Sequence, residues 1–101
     1  MSEPLELALS ESTTVEIAPL NGYESMTADR YIGDDGVNAT FMTKVYAICS
    51  LRKFNGVQVN PLSNKSEMEN LAKDLTMFEM GTLMERFSQM ASTDGDALKN
   101  E

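Results

Sequence analysis

Few residues in this sequence could do covalent or acid–base chemistry. Histidine is absent, which removes the usual general base and the commonest metal ligand. Cys49 is the single cysteine, so no intramolecular disulfide can form. As a nucleophile it would need a base or cationic neighbours to lower its pKa. It instead extends an apolar helical stripe and reads as a small core residue. Asp34 and Asp35, flanked by Gly33 and Gly36, could suggest a cation site. An EF-hand loop needs oxygen ligands at fixed intervals and a distal bidentate Glu; that spacing is missing, and a solvated turn is the better reading. Asp94 and Asp96 read the same way. Glu67 and Glu69 fall on different sides of a short helix, which does not suit the paired carboxylates of a hydrolase. Gly-rich phosphate loops and zinc spacings are missing. No catalytic residue, metal ligand or cofactor is therefore expected, and the expectation is a protein that is not an enzyme.

Charge narrows the partners. Sixteen acidic residues against eight basic ones give a net charge of −8. That sign opposes nonspecific binding to DNA, RNA or anionic membranes. Arg52-Lys53 beside Phe54 is the one stretch resembling a nucleic-acid patch, and a solvated hairpin edge explains it better. Neither nucleic acid nor membrane is expected as a partner.

The stretch "DLTMFEMGTLMERFSQM", residues 74–90, holds four methionines. Met77, Met80, Met84 and Phe87 run down one helical stripe, Phe78 and Leu83 occupy a neighbouring one, and Met90 closes the series. The apolar arc is wider than one-sided burial requires. Two readings stand. Methionine fills the gaps of a thin core, or its flexible, polarizable side chain makes a surface that repacks against varied apolar partners. Gly81 costs a helix about 1 kcal/mol against Ala, and close approach by a neighbouring backbone would account for it.

The elements that position these residues follow from periodicity. Leu5, Leu7 and Leu9 alternate, as do Thr13, Val15 and Ile17; two period-2 runs around "SES" predict a β-hairpin with one apolar face, ended by Pro19. A lone ribbon is marginal, so a helix must cover that face. Asn21-Gly22 is a turn signal, and Ser25 is placed to cap a short helix through Tyr31. After the break at "GDDG", Val37, Phe41, Val45, Ile48 and Cys49 predict a helix over about 37–51, with Asn38, Thr43 and Lys44 opposite. Asn55-Gly56 favours a tight turn, with Phe54, Val57 and Val59 forming a small hairpin or an extended arm around it. Ser66 with Glu69 has capping-box spacing and predicts a helix over 67–73; Thr76 with Glu79 repeats it and predicts another over 77–90. The polar "ASTDGDALKNE" is read as a flexible tail.

A chain of 101 residues with no internal repeat fits one small domain, 1–91, with the tail at 92–101. The fold class expected is α+β: a small N-terminal antiparallel β-hairpin packed on a mainly helical remainder. "MSEPLELALS" has neither a basic region nor a long apolar run, and no stretch approaches the ~20 apolar residues that span a bilayer. A cytosolic location is expected.

The order of elements resembles a known family. An N-terminal strand pair, "MTADRYI", a central helix "FMTKVYAICSL", then "NG" and "NPL", and a final "DLTMFEMGTLMERF" helix are similar to the small tail assembly chaperones of long-tailed bacteriophages. The resemblance covers roughly residues 5–90 and departs from the family pattern at 21–36. It implies a role without catalysis in the cytoplasm of the infected host: binding the aggregation-prone tape measure protein during tail morphogenesis, without retention in mature particles. Some members also have a frameshifted, extended form. The tail tube protein and a second copy of the chain are further candidate partners. By position, partner contacts fall on Met77, Met80, Met84 and Phe87, with Phe54, Asn55 and Gly56 as a second group.

Two alternatives remain open. One is a phage-encoded acidic inhibitor of a host defence protein, although acids spread from Glu3 to Glu101 make nucleic-acid mimicry less attractive. The other is a structural component of the tail or baseplate.

Overall fold

A computed structural model describes residues 4–33 and 38–99, with side chains described as far as residue 91. Strands β1 (Leu5–Ala8) and β2 (Thr14–Ile17) form the expected antiparallel pair, with Leu5 opposite Ile17 and Leu7 opposite Val15. Alternation buries Val15 and Ile17 and leaves Thr14 exposed between the buried Thr13 and Val15. The sheet does not stop at a ribbon. Strand β3 (Leu51–Phe54) pairs antiparallel with β2, and β4 (Val57–Gln58) with β3, giving the order β1-β2-β3-β4.

Asn55 and Gly56 join the last two strands at φ 50 and 82. Two consecutive positive φ values are what a two-residue type I′ turn requires, and Asn-Gly tolerates them best. Asn55 is also a splice. Its N–H donates to the Thr14 carbonyl at 2.7 Å, and its Oδ1 accepts from the Thr14 N–H at 2.8 Å. The second hairpin is thereby tied to the edge of the first. The fold is α+β, with the N-terminal hairpin extended by a later one and packed on four helices.

Helix α1 (Gly22–Ile32) starts earlier than Ser25 predicts. Asn21 is the cap: its side chain accepts from the Glu24 N–H at 2.8 Å while Glu24 accepts from the Asn21 N–H at 2.9 Å. Helix α2 (Ala39–Cys49) is capped by Asn38 and buries Val45, Ala47, Ile48 and Cys49. Val37, Asp34, Asp35 and Gly36 lie outside the described residues. Helix α3 (Lys65–Lys73) starts before the expected Ser66 cap, because Asn64 accepts from the Glu67 N–H at 2.9 Å. Helix α4 spans Met77–Lys99, beyond the expected end near 90. Its start is as predicted: Thr76 Oγ1 accepts from the Glu79 N–H at 3.1 Å, and Glu79 accepts from the Thr76 N–H at 2.9 Å.

Helix α2 is the hub. It packs against α1, α3 and α4, and its buried stripe meets Val15, Ile17, Leu51 and Leu83 in one core. Tyr46 on α2 donates a hydrogen bond to Asp29 on α1, and Tyr31 donates to the Leu62 carbonyl at 3.0 Å. Among the described residues, no helix is long and apolar enough to cross a membrane.

Candidate functional site

Helix α4 presents three different surfaces. Leu75, just before it, and Glu79 and Leu83 within it recur every four residues and are buried. Met80, Met84 and Phe87 form a half-buried shoulder packed against the core edge. Met77 and Phe78 are out in solvent, at 91% and 73% exposure. The neighbouring stripe expected of Phe78 and Leu83 therefore does not exist as one environment, since Leu83 is fully buried. Residues five apart on an α-helix stand about 140° apart around its axis, so the burial difference follows from geometry.

The methionine shoulder borders an open groove. One depression, about 410 Å³, is lined by Thr40, Lys44, Leu75, Thr76, Met77, Met80, Gly81 and Met84. A second, about 280 Å³, lies between α2 and α3 and is lined by Phe41, Lys44, Val45, Ile48, Lys65, Met68, Glu69, Ala72 and Met80. Lys44 and Met80 belong to both, so the two depressions adjoin on the α2–α3–α4 surface and make up a two-part groove. Its walls are mainly apolar.

Met77, Met80 and Met84 thus come together, as their spacing implies. Phe87 packs on the core and lines neither depression. Phe54 also packs on the core, from β3, while Asn55 and Gly56 are exposed in the turn. None of the three lines the groove, and Asn55 is committed to Thr14. The missed residues are Lys44, Lys65 and the α3 wall of Met68, Glu69 and Ala72. Lys44 is a lone cation on a polar stripe in the sequence; only the docking of α2 beside α4 shows its place.

Gly81 corrects an expectation. A side chain built there would meet nothing within 4 Å, so no neighbouring backbone demands glycine. It sits instead in the wall of the groove. A methyl group would project into open space at that point.

A larger depression, about 490 Å³, lies elsewhere, among Glu24, Arg52, Gln58, Val59, Asn60 and Leu62. Its charges are already used. Arg52 pairs with Glu24 at 3.2 Å and donates to the carbonyls of Cys49 at 2.8 Å and Leu51 at 3.1 Å. The methionine groove is the better site because its cations are not consumed in this way.

The titratable groups describe structure more than chemistry. Burial pushes the Cys49 thiol up to about 12, opposite to the shift an activated thiolate needs. The hydrogen bond to Asp29 raises Tyr46 to about 12. Hydrogen bonds from Ser10 first, then Thr13 and Thr76, hold the Glu79 carboxyl down at about 2. Among the described residues, no group of three or more His, Cys, Asp or Glu side chains could hold a metal. Compared with known proteins, the chain matches no family model, no curated protein and no solved structure.

Proposed function

We propose that this chain is a non-enzymatic binding protein whose α2–α3–α4 groove seats an apolar helical segment of another protein. In its specific form the proposal is a tail assembly chaperone of a long-tailed phage, acting on the tape measure protein in the host cytoplasm. The observation that carries the groove is Gly81 among Met77, Met80 and Met84. Packing leaves that glycine unexplained, and a helix interior disfavours it; keeping the wall open for an incoming ridge of side chains explains it. Flexible methionines around such an opening suit a ligand whose side chains vary along its length. The choice of the tape measure protein rests on the resemblance in element order and motifs.

The test is co-expression with the tape measure protein encoded by the same genome, followed by affinity capture and size analysis. Wild type should yield a soluble complex that Met80→Asp and Met84→Asp lose. Met77→Asp is the companion variant, because a side chain 91% exposed can be changed with little effect on folding. Complex formation unchanged in all three variants would move the contact away from the groove. A well-folded wild type that captures no tape measure protein would remove the chaperone role.

A further inference from the structure

We infer that the groove selects an amphipathic helix whose apolar stripe is bordered by carboxylates; this rests on the reading of the groove as a helix-docking site. The ground is where cations sit in a molecule with few of them. The chain has eight basic residues against sixteen acidic ones. Arg52 and Lys53 are consumed in the fold, paired with Glu24 at 3.2 Å and Glu16 at 3.3 Å. Lys44 lines both depressions and Lys65 one of them, and both are exposed. Among the described residues, neither has an ion-pair partner.

Glu69 is the sole carboxylate in the groove lining, so two lysines against one glutamate leave the lining at +1. The whole chain stands at −8. The lining is thus positive where the chain as a whole is acidic. Lys65 and Glu69 stand one turn apart on α3 without forming an ion pair, and a lysine preceding its glutamate is the weaker order for such a pair. A lysine in such a lining can add its stem to the apolar wall while keeping its ammonium group in water. A docked helix with glutamates beside its apolar stripe would meet those ammonium groups; one with lysines there would meet like charge. Screening confines this selection to the groove, since charges further away than about 8 Å are largely damped at physiological salt.

The probes are two synthetic helical peptides with the same Leu/Met stripe and a neutral outer face. One carries glutamates along both borders of the stripe, the other lysines. Fluorescence anisotropy against the full chain measures both, and only the signal lost in Met77→Asp is counted as groove binding. Exposed ion pairs shift affinity about 1.4- to 5-fold each, so the acidic peptide should bind roughly tenfold tighter. It does so against the −8 of the chain, which would otherwise favour the basic peptide. The preference should vanish in Lys44→Gln/Lys65→Gln and survive in Arg30→Gln/Lys73→Gln, which has the same net charge.

Equal binding of both peptides, or tighter groove binding of the basic one, overturns the selection and leaves the apolar docking site standing. Groove binding of neither peptide overturns the docking site, and the inference with it. A chain that dimerises alone, and becomes monomeric in Lys44→Gln/Lys65→Gln, makes the occupant a second copy and also overturns the inference.

Discussion

Glu79 joins distant parts of the chain through one carboxylate. Its Oε1 closes the cap of α4, and its Oε2 accepts from the Ser10 hydroxyl at 2.6 Å across 69 positions of sequence. The cap was legible, because Thr and Glu three apart before an apolar run is a local pattern. The tie to Ser10 was not, because it exists only once the β1–β2 turn is beside the helix start. The pH dependence follows from the lowered carboxyl. Its usual value of 4.5 falls to about 2 in the fold, so its stabilisation is complete above the unfolded value and is lost as pH falls from 4.5 toward 2. Glu79→Gln keeps an N3 residue that can complete a capping box but removes the charge. Urea midpoints of wild type and variant should differ most near neutral pH and converge as the solution approaches pH 2. A gap that stays constant over that range would mean the charge is not what holds the turn to the helix.

At the scale of elements, the same dipeptide shows what local reading can and cannot decide. Asn55-Gly56 makes the hairpin turn its flanking alternation predicts, whereas Asn21-Gly22 starts a helix. The difference is Glu24, whose side chain answers the Asn21 N–H three residues back. Asn64 displaces the expected Ser66 cap by its own side chain alone, which accepts from the Glu67 N–H. Each segment held two competent caps, and the upstream asparagine won both times. For the groove, the methionine spacing was readable because i, i+3 and i+7 share a helix face. The lysines were not, because α2, α3 and α4 must first meet. Gly81 yields a prediction in two parts. Gly81→Ala should raise stability by about 0.5–1 kcal/mol in a denaturant titration, because the added methyl meets no neighbour. The same methyl should weaken binding of the acid-bordered peptide by narrowing the groove. A destabilised Gly81→Ala would show that the space above that residue is filled.

For the whole molecule, the proposed binding role asks α4 both to hold the core and to remain open to a partner. A domain of 101 residues is stable by only about 5–15 kcal/mol, so its longest helix cannot give up its buried face. Leu83, fully buried, is that anchor. Leu83→Ala removes its methine and two methyl groups and leaves a cavity, which should cost about 2–5 kcal/mol, a large share of the total. Met77 lies on the same helix at 91% exposure, and Met77→Ser should shift stability by less than about 0.5 kcal/mol while weakening the peptide complex. Met80 and Met84 stand between these limits, packed on the core edge and lining the groove at once. The core-filling reading of the methionines leaves room for the proposed contact: a thin core leaves its rim half-covered, and side chains that fit irregular gaps suit that position. Urea unfolding of Leu83→Ala and Met77→Ser, beside peptide titrations of both at a denaturant-free reference, separates the roles. The expected pattern is a lost midpoint with Leu83→Ala and a lost complex at unchanged midpoint with Met77→Ser. If Met77→Ser lowers the midpoint as much as Leu83→Ala does, the open end of α4 belongs to the core in solution and there is no free groove to dock against.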